Sequence, residues 1–444
     1  MNEKEVAEIR RRFKPEKNNI SHIRGCFVNE NKEIVSEFEQ SLALMPEDES
    51  EKFLNLLKRT LSGSLDKNLL TINFTTQQVV DSEEHRLLMS LRDSQLKNEE
   101  TLQSFYQAAM QTIPLEENYL ILLAYDTYDI PFRSKDGATQ MDASSEAFSY
   151  VLCSICPIKT PKPDLAYNAP ENEFHNRSMD MVVSPPELGF MFPAFDDRSA
   201  NIYNALYYTK SITENHQEFV DAIFGSTAPM PAAVQKETFQ EILGSSLEDE
   251  CDIDTVQNIQ GHLHDMIVAH KERKDEIPLM VSKNAVTQIL SASGVSEERL
   301  EVFDEAFDEN FGADMFISPK NIVDIKNIEV TTPDVKITIA GDREDLLETR
   351  VIDGMNYILI RAEGGIELNG MPVSIARPEP SAEEAAVSSN TDPGNTSETV
   401  NYEAAIDETD TGTGETTAAA ETDTDTAEPA ADSASGNFPE ETEE

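Results

Sequence analysis

Two long apolar runs in the middle of the chain place the strongest limit on its fold. Asn118–Tyr128 and Ala147–Ile158 are continuous apolar stretches that are rich in β-branched and aromatic residues. A strand with one wet face alternates apolar and polar residues, whereas a continuous apolar run is typical of a buried strand. Both runs are therefore predicted to be central strands of a buried sheet.

Shorter strand signals lie on both sides of these runs along the chain. The further predicted strands are Ile20–Val28, Glu33–Phe38, Leu69–Phe74, Met179–Val183, Leu188–Ala194 and Ile202–Thr209. The first two flank a turn at Asn29–Lys32, which indicates a hairpin. No ten-residue helix separates the last three. We therefore predict an α+β fold with a central, mostly antiparallel sheet of about five strands and flanking helices.

Helical periodicity occurs before and after the sheet. The predicted helices are Asn2–Phe13, Ser50–Leu61, 82–94, 97–111, Asn215–Phe224, Ala233–Leu243, Ile253–Lys271, Ser282–Ser291 and Ser296–Asn310. Ser282 and Ser296 are predicted to be N-caps. A small C-terminal β piece follows, with strands at Val335–Ile339, Arg350–Ile352, Asn356–Ile360 and Gly365–Leu368 and turn signals at Asp353-Gly354 and Asn369-Gly370.

The C-terminal segment 378–444 differs in composition from the rest of the chain. It is built mainly from Thr, Ala, Glu, Asp, Ser and Pro, with 19 acidic residues and no Lys, Arg or His. Such a segment cannot bury enough apolar surface to offset its conformational entropy, so we predict a disordered acidic tail. It is either a solubilising extension or an interaction tail. The predicted division is a sheet domain (1–212), a helical segment (213–312), a small β subdomain (313–377) and the tail.

The charge of the chain limits its partners. The formal net charge is −49, and residues 1–377 alone contain 65 acidic and 35 basic residues, a balance of −30. A strongly negative protein repels phosphate backbones and anionic membranes, which argues against broad nucleic-acid or membrane binding and leaves only a local basic patch open. The basic cluster Arg10, Arg11, Arg12, Lys14 and Lys17 is interpreted as part of a capping helix or as a contact patch.

Compartment and class follow from what the sequence contains. Met1–Lys17 is charged throughout, unlike a signal peptide, and the longest apolar runs fall short of the roughly 20 residues of a membrane span. Four cysteines in so long a chain are not a disulfide framework, which fits a reducing compartment. We expect a soluble cytoplasmic protein without a cofactor; the oligomeric state stays open.

Cys153-Ser154-Ile155-Cys156 has the spacing of a redox dithiol or of half a zinc site. A redox pair normally begins a helix, whereas these residues lie inside an apparent buried strand, where positions i and i+3 point to opposite faces. Cys153 and Cys156 are therefore interpreted as structural, with redox and metal roles as the alternatives.

Acidic residues follow two of the predicted strands. Asp126, Asp129, Asp136 and Asp142 come after or within the end of one, and Asp196-Asp197-Arg198 follows another. Carboxylates at strand ends can hold Mg²⁺ for phosphoryl or hydrolytic chemistry. In a chain with 84 acidic residues such groups also arise by chance, and Asp196–Arg198 suits a turn with an ion pair.

The sequence contains no short signature of a common enzyme class. P-loop, dinucleotide-binding, nucleophile-elbow, metalloprotease and zinc-finger patterns are all missing. Two hypotheses remain: a non-enzymatic interaction or scaffold protein with protein partners, and a metal-dependent hydrolase that uses Asp126, Asp129, Asp196, Asp197 and Arg198.

Residues 1–377 resemble an uncharacterised bacterial family known as domain of unknown function 4317. The resemblance rests on the blocks EVAEIRRRF (Glu5–Phe13), LSGSLDKNLL (Leu61–Leu70), LRDSQLK (Leu91–Lys97), NYLILLAYDTYDIP (Asn118–Pro131), FSYVLCSICPIK (Phe148–Lys159), GFMFPAFDDRS (Gly189–Ser199) and YYTK (Tyr207–Lys210). The family has no assigned activity, so the resemblance implies no functional residue.

The order of the predicted elements is also similar to that of bacterial nucleoid-associated proteins. The shared features are two adjacent buried strands, a later aromatic strand ending in Lys, a helix such as His216–Gly225, and a final small β piece. This second resemblance implies association with the nucleoid, reached through partners, because the charge of −30 opposes open phosphate binding.

Overall fold

A computed structural model gives the structure of the chain, and it describes residues 1–133, 139–140, 147–160, 165–170, 172–176, 181–275, 277–313, 315–324, 326–341, 343–362 and 364–374. The predicted tail 378–444 lies outside the described residues, as do Asp136 and Asp142. By compactness the chain divides into Met1–Gly364 and Gly365–Glu444. The four-part division suggested by the sequence stays a prediction.

The helices and strands occur in a mixed order along the chain. The helices are α1 (Glu3–Arg10), α2 (Glu47–Thr60), α3 (Thr76–Asp81), α4 (Glu83–Asp93), α5 (Glu99–Thr112), α6 (Gln217–Phe224), α7 (Ala232–Leu247), α8 (Ile253–Arg273), α9 (Lys283–Ala292), α10 (Glu297–Asn310) and α11 (Pro319–Ile322). The strands are β1 (His22–Val28), β2 (Ile34–Ser41), β3 (Leu69–Asn73), β4 (Tyr119–Asp129), β5 (Phe132–Arg133), β6 (Thr139–Gln140), β7 (Ala147–Lys159), β8 (Leu165–Asn168), β9 (Glu173–Asn176), β10 (Val182–Val183), β11 (Leu188–Phe192), β12 (Ala194–Asp196), β13 (Ser199–Asn201), β14 (Asn204–Thr209), β15 (Val281–Ser282), β16 (Phe316–Ile317), β17 (Asn327–Thr331), β18 (Lys336–Ala340), β19 (Leu347–Ile352), β20 (Met355–Ile360), β21 (Ile366–Leu368) and β22 (Met371–Val373). The predicted α+β class is confirmed.

The central sheet is antiparallel at every pairing between its described strands. Its order is β2-β1-β4-β7-β11-β14-β3, and β10 pairs with β7. With eight strands it exceeds the predicted five, because the early strands β1, β2 and β3 join its two edges. The predicted strand Leu188–Ala194 is divided into β11 and β12 at Pro193, which has no N–H to donate to a ladder.

Helices cover both faces of this sheet. On β4, Ile121 and Leu123 face a core shared with α4, α5 and α6, whereas Leu122 and Ala124 face a core shared with α1 and α2. All four side chains are buried. The two-sided burial explains why the central strands are apolar at successive positions, and the prediction of central buried strands is confirmed.

The helices after the sheet form a third core. Phe239 of α7, Leu263 of α8, and Phe303 and Phe307 of α10 are buried together there. Ser282 accepts a hydrogen bond from the Ala285 N–H and caps α9, as predicted.

Ser296 is the N-cap residue of α10, as predicted, but its side chain makes no capping hydrogen bond. Its hydroxyl donates to Glu250 Oε1 at 2.8 Å, and its backbone N–H donates to Glu250 Oε2 at 2.8 Å. The hydroxyl of Ser296 is therefore bonded to an acidic residue 46 positions away and not to the backbone of the first helical turn.

Short hairpins follow the third core. In the unit Met1–Gly364, β17 pairs with β18 and β19 with β20; in the unit from Gly365 onwards, β21 pairs with β22. Positive φ angles at Asp353 and Gly354 and at Asn369 and Gly370 confirm the two predicted turns. Among the described residues, no helix has the length and apolar character needed to cross a membrane.

Candidate functional site

Helix α1 positions most of the charged residues that surround the predicted acids. Asn2 caps the helix by accepting hydrogen bonds from the backbone of Lys4 and Glu5, and Glu5 Oε2 accepts from the Asn2 N–H at 2.8 Å. Val6 and Ile9 bury the apolar side of the helix against the sheet. The charged side then meets the ends of β4 and β12. We call this group the α1 polar cluster; its members are Glu5, Glu8, Arg12, Asp126, Tyr128, Tyr150, Asp196, Asp197 and Arg198.

Asp126 is the most deeply buried acid of the cluster, with 1% of its side chain exposed. Arg12 donates to both of its oxygens, from Nε to Oδ2 at 2.9 Å and from a terminal nitrogen to Oδ1 at 3.0 Å. Tyr150 donates its hydroxyl to Oδ2 at 2.8 Å, and the Asn19 N–H donates to Oδ1 at 2.9 Å. Each carboxylate oxygen thus receives two hydrogen bonds, which is the full capacity of the group.

The environment fixes the protonation states around Asp126. Burial alone would lower the pKa of Arg12, but the hydrogen bond and negative charge of Asp126 outweigh it and raise that pKa. Burial, reinforced by the charge of Asp126, places the pKa of Tyr150 well above its ordinary value. The guanidinium stays charged and the phenol stays protonated, so the three groups form a fixed ion-pair network.

Arg198 connects α1 to the other side of the cluster. One of its terminal nitrogens donates to Glu8 Oε2 at 2.7 Å and the other to the Pro131 carbonyl at 3.1 Å. The Tyr128 hydroxyl donates to Glu8 Oε1 at 2.7 Å. The positive φ of Asp197 and Arg198 turns the chain between β12 and β13, which supports the predicted turn with an ion pair.

Three carboxylates converge beside this turn. Glu5, Asp196 and Asp197 offer oxygen atoms that all lie within 4.8 Å of one another, and among the described residues they form the group that could hold a metal ion. Asp196 also accepts from the Met1 amino group at 2.9 Å and from Asn201 at 3.1 Å. Partial burial opposes ionisation of Asp196, but these hydrogen bonds outweigh it and lower its pKa.

The structure therefore separates the acids that the sequence grouped together. Asp126 belongs to the Arg12 network, whereas Asp196 and Asp197 lie with Glu5. Asp129 is exposed at the end of β4, where its backbone pairs with Ala147, and within the described part of the chain no hydrogen bond or ion pair is seen for its side chain. Arg198 contacts Glu8 rather than any of the predicted acids through its side chain.

Cys153 and Cys156 lie within β7 and face different cores. Cys153 packs in the core under α4, α5 and α6, and Cys156 packs in the core under α1 and α2. Burial places the pKa of Cys153 well above its ordinary value and raises the pKa of Cys156 to about 12. Sulfurs on opposite faces of a strand cannot converge on one ion, and the thiolate that redox chemistry needs is disfavoured at both positions.

Glu5, Glu8 and Tyr150 were not singled out from the sequence. A signal for the first two does exist: Glu5, Glu8 and Arg12 recur at helical spacing beside the apolar stripe of Val6 and Ile9, where charged groups meet the surface on which the helix packs. Nothing in the local sequence indicates that Tyr150, inside an apolar strand, donates to Asp126.

Comparison with known proteins identifies one family. A family model described as "Domain of unknown function (DUF4317)" matches residues 1–371. No curated protein and no solved structure matches the chain. The match covers most of the chain, including the α1 polar cluster and the hairpin β19–β20.

Proposed function

The chain belongs to the DUF4317 family of domains of unknown function, and from its surface we propose that it is a non-enzymatic interaction or scaffold protein. The observation that supports this proposal is the apolar surface of the hairpin β19–β20. Its exposed large apolar side chains are Ile352, Met355 (57% exposed) and Tyr357 on one face and Val351 (70%) and Ile360 on the other. A group of exposed apolar side chains on one hairpin is typical of a protein-binding surface.

The chemistry of the α1 polar cluster supports the same proposal. The four donors around Asp126 occupy all of its acceptor positions, and Arg198 is held by Glu8 and Pro131. Groups saturated in this way hold a helix in place. A carboxylate whose acceptor positions are all occupied cannot act as a general base, because a general base needs a free lone pair. We propose that the cluster fixes α1 to the sheet and that function resides in the binding surfaces.

Affinity capture from the native cell tests this proposal. The full chain is compared with the double variant Met355→Asp/Tyr357→Asp and with a matched control, Val80→Asp, whose exposed side chain (69%) lies on α3. We expect a defined set of proteins to be retained by the natural chain and by the control and lost from the hairpin variant. Retention of the same set by all three would contradict the proposal.

Within this proposal, association with the nucleoid is indirect and takes place in the cytoplasm, where the free thiols of the four cysteines persist. Arg12 of the N-terminal basic cluster is ion-paired with Asp126, so fewer side chains of the cluster can bind phosphate groups. We expect the purified chain not to be retained on DNA at about 50 mM salt. Retention that declines steeply with added salt would instead show direct binding.

The three convergent carboxylates favour the second candidate, a metal-dependent hydrolase. Glu5, Asp196 and Asp197 would be the ligands, and the metal would compete with the Met1 amino group for Asp196. Calorimetric titration with Mg²⁺ and Mn²⁺ distinguishes the two candidates. Saturable binding that is abolished in Glu5→Gln supports the hydrolase, and heat of dilution alone supports the interaction protein.

A further inference from the structure

No other described strand covers either outer edge of the hairpin β19–β20, and β19 is the strand of the two that carries charged side chains. β19 and β20 form a two-stranded sheet in register from Leu347 opposite Ile360 to Ile352 opposite Met355. The edge of β19 that faces away from β20 contains no proline and no bulge, and its two charged residues, Glu348 and Arg350, have opposite signs.

The backbone groups on this open edge follow from the turn. A two-residue turn with positive φ at Asp353 and Gly354 is closed by a hydrogen-bonded pair, here Ile352 and Met355. Hydrogen-bonded and non-hydrogen-bonded pairs then alternate, and the Arg361 N–H donating to the Leu346 carbonyl at 2.9 Å fits this alternation. The N–H and C=O groups of Leu347, Thr349 and Val351 therefore point to the open edge.

We propose that a second copy of this chain binds here, its β19 pairing antiparallel with β19 about a two-fold axis at Thr349. The pairing brings together the outward N–H and C=O groups of both copies. Thr349 lies opposite Thr349 of the second copy, and Leu347 lies opposite Val351 of the second copy. By symmetry, Val351 lies opposite Leu347 of the second copy. There are thus three pairs, and each exchanges two hydrogen bonds. The inference rests on the proposed function, because it names one partner of the same hairpin.

Charge favours this register over the two neighbouring symmetric registers. An axis at Glu348 would place Glu348 opposite itself, and an axis at Arg350 would place Arg350 opposite itself; like charges directly opposite destabilise a strand pair. With the axis at Thr349, Glu348 of each copy lies opposite Arg350 of the other. The apolar and Thr–Thr pairs of this register are also favourable cross-strand pairs.

Glu348 and Arg350 already form an ion pair within one chain, and dimerisation would replace it with the same pair between two chains. Arg350 Nε donates to Glu348 Oε1 at 2.8 Å, with both side chains more than half exposed. On dimerisation each arginine keeps a glutamate partner in the second copy, so no charge is left unpaired. The resulting interface is small, and we expect a weak dimer that forms as protein concentration rises.

A charge-exchange experiment tests the pairing. Sedimentation equilibrium of the full chain should show a concentration-dependent dimer. Glu348→Arg and Arg350→Glu should each weaken the dimer about tenfold or more, because each places like charges opposite one another. The double variant Glu348→Arg/Arg350→Glu should restore it. A monomer at all concentrations, or a double variant as weak as the single ones, would overturn the proposal.

A cysteine cross-link tests the axis directly. Hydrogen-bonded antiparallel partners have Cα atoms about 5.5 Å apart, within the range of a disulfide. Thr349→Cys should give a disulfide-linked dimer under mild oxidation. The control Asn356→Cys on β20 should not, because two further strands would separate its copies. Equal cross-linking of the two variants would overturn the proposal.

These outcomes are separate from the capture experiment. If the chain is monomeric but the Met355→Asp/Tyr357→Asp variant loses its captured proteins, the self-pairing fails and the proposed function stands. If the charge-exchange cycle succeeds while no other protein depends on Met355 and Tyr357, the chain assembles with itself, and binding of other proteins by this surface is wrong.

Discussion

Asp126 shows what burying one carboxylate requires in a chain with 84 acidic residues. Its side chain is almost completely buried, and four donors from Arg12, Asn19 and Tyr150 surround it. A buried charge without such partners costs several kcal/mol, whereas a fully paired one is tolerated. The residue is therefore structural, and its removal should be felt in stability.

We predict that Asp126→Ala lowers the free energy of unfolding by about 3–5 kcal/mol, because the buried Arg12 guanidinium is left unpaired. Asp129→Ala, at an exposed position of the same strand, should change it by less than about 0.5 kcal/mol. Urea unfolding followed by circular dichroism measures both. The double variant Arg12→Met/Asp126→Leu should recover part of the loss; equal small losses for the two aspartates would contradict the network.

Asp196 makes stability depend on pH in the acidic range. The pKa of Asp196 is lowered in the folded chain. Its contribution to stability is therefore fully present above the pKa of the unfolded chain, about 4, and is lost as the pH falls through the pKa of the folded chain. We predict that Asp196→Asn is less stable than the natural chain at pH 6 and that the difference narrows below about pH 4. Thermal midpoints at pH 6 and pH 3 measure it, and a difference of the same size at both pH values would contradict the prediction.

At the scale of elements, the contact between β11 and β7 depends on one missing side chain. A Cβ atom at Gly189 would lie 2.4 Å from the Cys153 carbonyl oxygen of β7 and 2.5 Å from Thr60 Cγ2 of α2. The hydroxyl of Thr60 is in turn hydrogen-bonded to Ser154 at 2.6 Å. The glycine therefore permits α2 and two strands to meet at one point.

Two glycine substitutions should consequently act in opposite directions. Gly189→Ala should lower the free energy of unfolding by about 1–3 kcal/mol, because the backbone of β7 must move. Gly244→Ala, inside α7 with no atom beyond the adjoining helix backbone within 4 Å of the new Cβ, should raise it by about 0.5–1 kcal/mol. Chemical denaturation of both variants checks the signs. A loss at both positions would show that the space around Gly189 is not the cause.

The sequence predicted elements better than their partners, and the reason is physical. Apolar runs and turn residues act within a few positions, so β4, β7 and the Asp353-Gly354 turn could be identified locally. The pairing of β3 with β14 and of Arg12 with Asp126 joins residues more than 100 positions apart, and no local pattern specifies it. Ser296 combines both cases: it occupies the N-cap position that the local pattern predicted, but its hydroxyl is bonded to the distant Glu250.

For the whole molecule, charge is the dominant property. Residues 1–377 have a net charge of −30, and acidic groups far outnumber the cations that could pair with them. Such an excess favours solubility but destabilises the compact state through self-repulsion. Ion pairs such as Arg198 with Glu8 act in the opposite sense, and they are partly shielded from solvent ions because both side chains are mostly buried.

Salt should therefore stabilise this protein. We predict that the thermal midpoint rises as NaCl increases from about 10 mM to about 300 mM. Over this range the screening length becomes shorter than the spacing of many like charges, so their repulsion weakens, whereas the attraction within the buried ion pairs changes little. The triple variant Glu51→Lys/Glu117→Lys/Glu301→Lys, at three exposed glutamates, reduces the negative charge and should show a smaller rise. Differential scanning calorimetry measures both proteins. If the midpoint of the natural chain fell with salt, surface ion pairs rather than net repulsion would govern its stability.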